Sequence, residues 1–304
     1  MKAVVDIGSN SVKFLSGEML CGVPSIHKSG SKVTRLAERL SEGGGMISEA
    51  ALARTQLALQ EFATALAGVP IEVVATAAAR RAKNSEQLAK IVEATLKSPM
   101  RIISGNEEAE LSRKGASIAA RAEMSAEKEF LFVDMGGAST EISFSSTQAP
   151  KHSFPCGAVT FMEKLGLGEM PNSDKTWDQA KHSLQPFFPV AEFAPLKAYA
   201  QTLKNPPMVA VGGTLVIAAK IASGLKNFPS PYGILVTREK LALLNEKVRL
   251  MDQSERLKLE GMETGREDIL CGGLLAIDYL MKNFAAENLF ITGWGLRHGL
   301  LFGQ

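Results

Sequence analysis

One short pattern occurs twice in this chain, and it limits the possible folds more than any other feature. Residues 5–11 read VDIGSNS, and residues 133–139 read VDMGGAS. Each copy begins as an apolar strand, reaches Asp-x-Gly, turns through small residues and resumes as a second strand, which is the pattern of a β-hairpin with an acid at its tip. Two copies predict two similar half-molecules, and we expect them to face each other across a cleft.

Short apolar runs alternate with helical patterns along the chain, as in an α/β fold. One predicted helix ends near Gly68, a second has Ser85 as its N-cap and Pro99 as its stop, and a third is capped by Thr237. The runs that predict strands are Ala3–Ile7, Val12–Ser16, Ile71–Thr76, Arg101–Ser104, Phe130–Met135, Glu141–Phe144, Met208–Val211 and Leu289–Thr292.

Composition narrows the class of protein. The net charge of +2 gives no support for a nucleic-acid partner, so any basic groove has to be local. No stretch approaches the ~20 apolar residues of a membrane span, and no signal-peptide pattern precedes the first strand. Three distant cysteines, Cys21, Cys156 and Cys271, suit inert thiols in a reducing compartment. We therefore expect a cytoplasmic protein without a membrane partner.

Three turns of small residues are predicted to bind phosphate. Glycine permits close approach of the backbone, and successive turn N–H groups form an anion nest. The last of these turns opens a helix, whose N-terminus adds unpaired N–H groups and the positive end of its dipole. Together they suit a ligand with several phosphates. The residues are Gly8, Ser9, Asn10 and Ser11; Gly136, Gly137, Ala138, Ser139 and Thr140; and Gly212, Gly213 and Thr214.

Asp6 and Asp134 stand beside the first two turns. A carboxylate next to a phosphate is repelled unless a cation lies between them, and oxygen ligands suit Mg²⁺. The alternative is that each aspartate only stabilises its tight turn through a hydrogen bond from its side chain. The pattern alone leaves both interpretations open.

A second acidic site is predicted where a strand ends at Ser104-Gly105 and a helix begins with Glu107 and Glu108. These acids either complement the helix dipole or include a general base that orients water toward phosphorus. Arg80 is either a solvated helix residue or a bidentate phosphate ligand. The chain has no Gly-x-Ser-x-Gly elbow and no Gly-x-x-x-x-Gly-Lys-Ser/Thr loop, which argues against a serine hydrolase and a P-loop enzyme.

Taken in order, several stretches resemble the exopolyphosphatase and guanosine-pentaphosphate phosphatase family, in particular its short members. The resemblance implies two ribonuclease-H-like domains of the actin-like ATPase superfold around a cleft. It also implies a Mg²⁺-dependent phosphohydrolase that releases terminal phosphate from polyphosphate or from pppGpp, a nucleotide of the stringent response. The stretches are VDIGSNSVKF, RLAERLSEGGGMISEAAL, EVVATAAARRAKN, RIISGNEEAEL, FVDMGGASTEISF, AVGGTLVIAA and GLRHGLLF.

Site residues follow from the same resemblance. It implies that Glu108 is the catalytic glutamate that activates water, that Asp134 is associated with metal and water, and that Arg80 is the arginine of the cleft. Glu141 matches an acid near the same site, so the expected Mg²⁺ ligands are Asp6, Asp134 and Glu141. The two phosphate-binding hairpins correspond to residues 6–11 and 136–140.

The two copies of the repeat predict two domains, and the polar, charged segment 121–129 between them predicts the boundary. We assign residues 1–124 to an N-terminal ribonuclease-H-like domain and residues 125–304 to a second one. The terminal helix, at about 295–304, is able to pack back on the N-terminal domain in this prediction.

The predicted ligand is polyphosphate or guanosine penta- or tetraphosphate. A homodimer is an open alternative to a monomer.

Two departures from the family pattern bear on function. Ala138 replaces the third glycine of the second loop, and His298 stands where the family has an acid. A methyl group at Ala138 would either crowd a phosphate or need only a negative φ. Two other functions stay open: a non-catalytic regulator that binds polyphosphate or (p)ppGpp, and an actin-like kinase or scaffold, since one fold hosts many activities.

Overall fold

A computed structural model describes residues 1–38, 40, 44–124, 129–167, 173–204 and 206–303. No helix in these ranges is long and apolar enough to cross a membrane. The strands are β1 (Lys2–Ile7), β2 (Ser11–Leu20), β3 (Val23–Val33), β4 (Ile71–Ala75), β5 (Met100–Ile102), β6 (Leu131–Met135), β7 (Thr140–Phe144), β8 (His152–Phe154), β9 (Met208–Val211), β10 (Ile234–Thr237) and β11 (Asn288–Thr292). The helices are α1 (Glu49–Ala65), α2 (Ala77–Arg81), α3 (Ser85–Leu96), α4 (Gly105–Met124), α5 (Ala158–Leu165), α6 (Asp174–His182), α7 (Val190–Thr202), α8 (Gly213–Ser223), α9 (Arg238–Arg249), α10 (Gln253–Leu257), α11 (Leu270–Asn283) and α12 (Leu296–Phe302).

Every predicted strand is confirmed, as β1, β2, β4, β5, β6, β7, β9 and β11. Three further strands, β3, β8 and β10, are not predicted by the sequence pattern. β3 is an edge strand whose residues are mostly exposed on both faces, so they carry no apolar alternation. β8 and β10 have only three and four residues, too few to show a period.

The two sheets repeat one arrangement of strands. The first has the order β3-β2-β1-β4-β5, in which β1 is antiparallel to β2 and parallel to β4. The second repeats this order as β8-β7-β6-β9-β11, with β10 added antiparallel at the β11 edge. The repeated sequence pattern therefore marks two equivalent hairpins, β1–β2 and β6–β7, in two ribonuclease-H-like sheets.

The chain divides into two compact units, Met1–Gly115 with Leu296–Gln304, and Ala116–Gly295. The division falls inside α4, which continues past it to Met124, whereas the sequence prediction places the boundary at 124/125, where the helix ends. Residues 125–128, which begin the predicted second domain, lie outside the described residues. The terminal helix α12 groups with the first unit.

Each unit has a hydrophobic core of its own. In the first, Phe14 of β2 packs edge-to-face on Phe62 of α1, with ring centroids 4.7 Å apart. In the second, Phe154, Phe188 and Phe193 form an aromatic cluster beneath the sheet. Such close-packed cores hold the strand ends, and the loops that follow them, in defined positions.

Helix ends show where local sequence decides the structure and where it does not. Thr237 is confirmed as the N-cap of α9, because its hydroxyl accepts a hydrogen bond from Lys240 N. The prediction of Ser85 as an N-cap is wrong, since Ser85 is already the first residue of α3. Asn84 precedes it, and its side-chain amide holds the peptide of Ile47, accepting from Ile47 N at 2.8 Å and donating to Ile47 O at 3.0 Å. A contact distant in sequence therefore fixes this helix start.

Gly299 provides a test of the packing of α12. A Cβ at this position would lie 1.9 Å from Leu111 O of α4. We expect Gly299→Ala to lower the free energy of unfolding by about 1–3 kcal/mol or more, the usual cost of overpacking, as measured by urea unfolding followed by circular dichroism. Gly293→Ala is the control, since among the described residues none beyond its two chain neighbours has a heavy atom within 4 Å of its Cβ position. Equal urea midpoints for the two variants would contradict the close contact.

Candidate active site

In each unit the candidate residues follow the carboxyl ends of three parallel strands. β1, β4 and β5 end side by side in the first sheet, and β6, β9 and β11 do so in the second. Thr76 N donates to Ile7 O at 3.2 Å and Ile103 N donates to Ala75 O at 3.0 Å, so the segments leaving these strands stay together. Ligands of open α/β sheets bind at such an edge.

The two hairpin turns are closed by the same hydrogen bond. Gly8 N donates to Ser11 O at 3.1 Å, and Gly136 N donates to Ser139 O at 2.9 Å. These two amides are therefore used inside their turns. The next two amides of each turn have no protein acceptor in the part of the chain that the structure describes, and they are the candidates for binding an anion.

The carbonyl groups of the first turn are bonded to the segment after β3. Ser9 O accepts from Ala37 N, and Asn10 O accepts from both Thr34 N and Arg35 N, each at 2.9 Å. Arg35 adopts a left-handed conformation with φ 48°, which is uncommon for a residue with a side chain. In a trans peptide the N–H of the next residue points away from the carbonyl oxygen, so the bond to Ser9 O directs Asn10 N to the other side of the turn.

Helix α5 bonds the carbonyl groups of the second turn in the same way. Gly136 O accepts from Ala158 N, and Gly137 O accepts from Val159 N, each at 2.9 Å. The approach is so close that a Cβ on Gly157 would lie 2.5 Å from Gly136 O. Gly157 therefore belongs to the site, although the sequence pattern gives no reason to select it.

The third turn lies against the end of β6. Gly212 has φ 137°, and a Cβ there would lie 2.4 Å from Met135 O, so only glycine fits. Gly213 begins α8, and the position of its Cβ is 2.5 Å from Nη1 of Arg266. The guanidinium of Arg266 thus lies directly over the first turn of α8. Sequence reasoning missed Arg266, because no periodicity or motif connects it with a turn some fifty residues earlier.

In the first unit, the sequence-predicted pair Arg80 and Glu108 is in direct contact. Arg80 Nη1 donates to Glu108 Oε2 and to Ile103 O, each at 2.8 Å. Glu107 forms an ion pair with Arg101 instead, and its carboxylate is the main reason why the pKa of that arginine is raised. The two adjacent acids therefore have different partners. Glu107 is paired with Arg101 of β5, whereas Glu108 is paired with Arg80, whose guanidinium also bonds Ile103 O just after β5.

Asp6 lies in a cationic setting. It is opposite Lys13 in the β1–β2 register, and its Oδ1 is buried without a hydrogen-bond donor among the described residues. Burial raises the pKa of its carboxyl group, while the charges of Lys13 and Arg297 oppose that rise. Arg297 Nη1 also donates to Phe14 O at 2.8 Å.

His298 follows Arg297 in α12. Its burial and the charge of Arg297 hold the pKa of His298 well below its ordinary value, so His298 is neutral near pH 7.

Asp134 has a different setting. It is opposite Glu141 in the β6–β7 register, and like charges in such a pair repel unless a cation joins them. Ser153 Oγ donates to Glu141 Oε1 at 2.7 Å. Within the described ranges no three His, Cys, Asp or Glu side chains form a metal cluster. That Asp134 and Glu141 hold Mg²⁺ stays a prediction, and the cations beside Asp6 make that residue the weaker candidate ligand.

Comparison with known proteins gives the family of this chain. Residues 16–304 match the profile of the Ppx/GppA phosphatase family, and the chain belongs to that family. It is 28% identical over 309 residues to a guanosine-5'-triphosphate,3'-diphosphate pyrophosphatase of Aeromonas salmonicida. That match covers 99% of this chain but only 58% of the relative. The family resemblance read from the sequence is thus confirmed.

Solved structures agree with the fold. The Aquifex aeolicus PPX-GPPA enzyme matches with a TM-score of 0.79 at 23% identity, over 99% of this chain and 98% of that one. An exopolyphosphatase from Cytophaga hutchinsonii matches with a TM-score of 0.81 at 20% identity, over 99% and 96%. The chain has the actin-like ATPase fold, as the sequence predicts. That Asp6 and Asp134 face one cleft stays a prediction.

Ala138 allows a test of the second turn. It is exposed and has a negative φ, so the backbone needs no glycine there. We expect Ala138→Gly to change the rate of phosphate release by less than about twofold and to lower the free energy of unfolding by about 0.4–1 kcal/mol, through the added freedom of the unfolded chain. Gly212→Ala, which clashes with Met135 O, should abolish most activity. A several-fold gain from Ala138→Gly would show that the methyl group crowds the phosphate.

Proposed function

We propose that this chain is a phosphohydrolase that releases the terminal phosphate of inorganic polyphosphate or of pppGpp. Membership in the Ppx/GppA phosphatase family supports the reaction class. The observation that carries the proposal is the Arg80–Glu108 contact at the carboxyl end of β5, in a unit whose neighbouring turn offers N–H groups. With pppGpp as substrate, the chain would act in the stringent response.

Glu108 is the proposed general base. Hydrolysis needs a water in line with the scissile P–O bond and a group that accepts its proton, and a carboxylate does both. Arg80 holds one oxygen of Glu108 and is itself held by Ile103 O, which fixes the carboxylate in one orientation. Glu107 is less suited to the role because its partner Arg101 also donates to Glu72 and not to Ile103 O at the strand end.

The remaining groups are proposed to bind and neutralise phosphate. The two hairpin turns and the first turn of α8 supply N–H groups, and Arg266 supplies a guanidinium suited to phosphate oxygens. Asp134 and Glu141 would hold Mg²⁺, which would screen the charge of the phosphate groups when bound. Phosphoryl transfer depends mainly on such positioning and charge neutralisation.

The alternative of a non-catalytic regulator has its sequence support in Ala138. This residue fits its turn at a negative φ, and Ala138→Gly tests whether its methyl group crowds a phosphate. An actin-like kinase or scaffold is not excluded by the fold alone. Phosphate release from polyphosphate, pppGpp and ATP, measured with and without Mg²⁺, separates the three. Release from polyphosphate or pppGpp that requires Mg²⁺ supports the proposal, and binding of either without release supports a regulator.

Glu108→Gln tests the assignment of the base. The change keeps the shape of the side chain and removes its basicity, so kcat should fall by about 10²–10⁴-fold, the usual contribution of general-base catalysis. KM should hold or fall, since one negative charge beside phosphate is removed. Glu107→Gln is the matched control and should change kcat by less than about threefold, because exposed ion pairs contribute little. Steady-state phosphate release measures both variants.

Two outcomes would contradict this assignment. Full activity of Glu108→Gln combined with loss in Glu107→Gln would make Glu107 the base. If neither change alters kcat, the proposed mechanism does not apply.

A double variant extends the test. If Glu108 and Asp134 act in one step, the fall in kcat of the Glu108→Gln, Asp134→Asn double variant should be much smaller than the product of the two single falls.

A further inference from the structure

Arg266 depends for its position on a loop between α10 and α11. Its guanidinium lies over the start of α8, with Cζ 2.6 Å from the place of a Cβ on Gly213, and its side chain is 18% exposed. A planar guanidinium beside a helix N-terminus is a suitable phosphate ligand only if its geometry is fixed. Glu263 Oε2 lies 3.8 Å from Arg266 Nε and is 56% exposed, and such an ion pair holds a side chain only weakly, so the backbone that carries Arg266 has to be held as well.

Glu267 holds that backbone. Its Oε2 accepts hydrogen bonds from Gly265 N at 2.7 Å and from Arg266 N at 2.9 Å. Gly265 has φ 84°, which turns the two successive amides toward one acceptor. The carboxylate of Glu267 thus occupies a backbone nest and sets the direction in which Arg266 leaves the chain.

Arg256 holds the same loop from the interior. It is fully buried, in α10, whose start is fixed by a capping box of Asp252 and Glu255. Its Nη1 donates to Glu267 O at 3.3 Å and its Nε donates to Val248 O of α9 at 3.1 Å. Burying a guanidinium is costly, and here it joins α9 and α10 to the carbonyl group of Glu267.

We propose that Arg256 and Glu267 are positioning residues for anion binding by Arg266 over the α8 N-terminus. The identity of the anion, a chain of phosphoryl groups, rests on the proposed function. Neither residue contacts the ligand: Glu267 orients the backbone of Arg266, and Arg256 fixes Glu267. Their loss therefore weakens binding through Arg266 and through no other group.

A purely structural role makes a different prediction. If Arg256 only stabilised the second unit, its loss would lower the melting temperature and the fraction of folded protein. The dissociation constant of the folded fraction would not change. Loss of Arg266 in addition would then weaken binding by its full separate factor, because independent effects multiply. Affinity, rather than activity, is thus the quantity to measure.

The experiment is calorimetric titration of the full chain with tripolyphosphate, with and without Mg²⁺. Arg266→Met should raise Kd by about 10–100-fold, the effect of losing a hydrogen bond to a charged group. Glu267→Ala and Arg256→Met should each raise Kd on the order of tenfold, as is typical of residues that orient a ligand-binding group. Adding either change to Arg266→Met should raise Kd by less than about twofold further.

Arg249→Met is the matched control. Arg249 is the last residue of α9, next to Val248, and forms ion pairs with Asp174 of α6 and Glu246 of α9. The Arg249→Met variant should have an unchanged Kd for tripolyphosphate, whatever its melting temperature. If Arg256→Met does not fold, as judged by circular dichroism, Glu267→Ala carries the test, because Glu267 is only partly buried.

The outcomes separate this inference from the proposed function. An unchanged Kd for Glu267→Ala beside a raised Kd for Arg266→Met would overturn the inference, as would full multiplication in the double variants. Absence of tripolyphosphate binding by the unsubstituted chain would overturn it too. If binding follows the expected pattern but neither polyphosphate nor pppGpp is hydrolysed, the inference stands and the proposed function fails.

Discussion

A turn can present N–H groups to an anion only when its carbonyl groups are bonded elsewhere, and both hairpin turns meet this condition. Ser9 O and Asn10 O are bonded by the segment after β3, and Gly136 O and Gly137 O by the first amides of α5. The donors come from unrelated parts of the sequence, yet the result is the same. Each of these bonds satisfies a carbonyl group of the turn and orients the turn at the same time. The sheets bring the same strand ends into place in both units, and the proposed chemistry depends on this shared backbone arrangement.

The backbone repeat is accompanied by a difference in charge. Asp6 is opposite Lys13 and is near Arg297, so the protein supplies the cations that oppose the effect of burial on its pKa. Asp134 is opposite Glu141, and this pair of acids suits a cation from solution. Under the proposed function, the first of these two hairpins would bind phosphate directly and the second would bind it with a metal ion. The twofold sequence pattern predicts the shared geometry but cannot show this division of roles, because it depends on the residue across the strand.

The sequence predicts features that are encoded locally and misses those that depend on tertiary contact. Buried strands, the repeated hairpins and the Thr237 cap follow from short patterns, and the ordered motifs locate Glu108 and Arg80. Arg266 has no such signal, because its relation to Gly213 exists only after α8 and the loop before α11 pack together. Gly157 appears in the sequence as an ordinary turn glycine, and only the approach of Gly136 O shows why it is needed. Substitution effects at such positions are set by contacts that no local pattern contains.

The Arg80–Glu108 ion pair is explained better by chemistry than by stability. Both side chains are about 30% exposed, and ion pairs in that setting typically contribute less than about 1 kcal/mol. Under the proposed function, the Glu108 carboxylate would be repelled by polyphosphate, and the adjacent guanidinium would offset that repulsion while the carboxylate stays ionised. A second hydrogen bond holds Arg80 in place, because the same Nη1 donates to Ile103 O just after β5. The guanidinium of Arg80 is therefore held beside the Glu108 carboxylate, which is where the proposed reaction would need a positive charge.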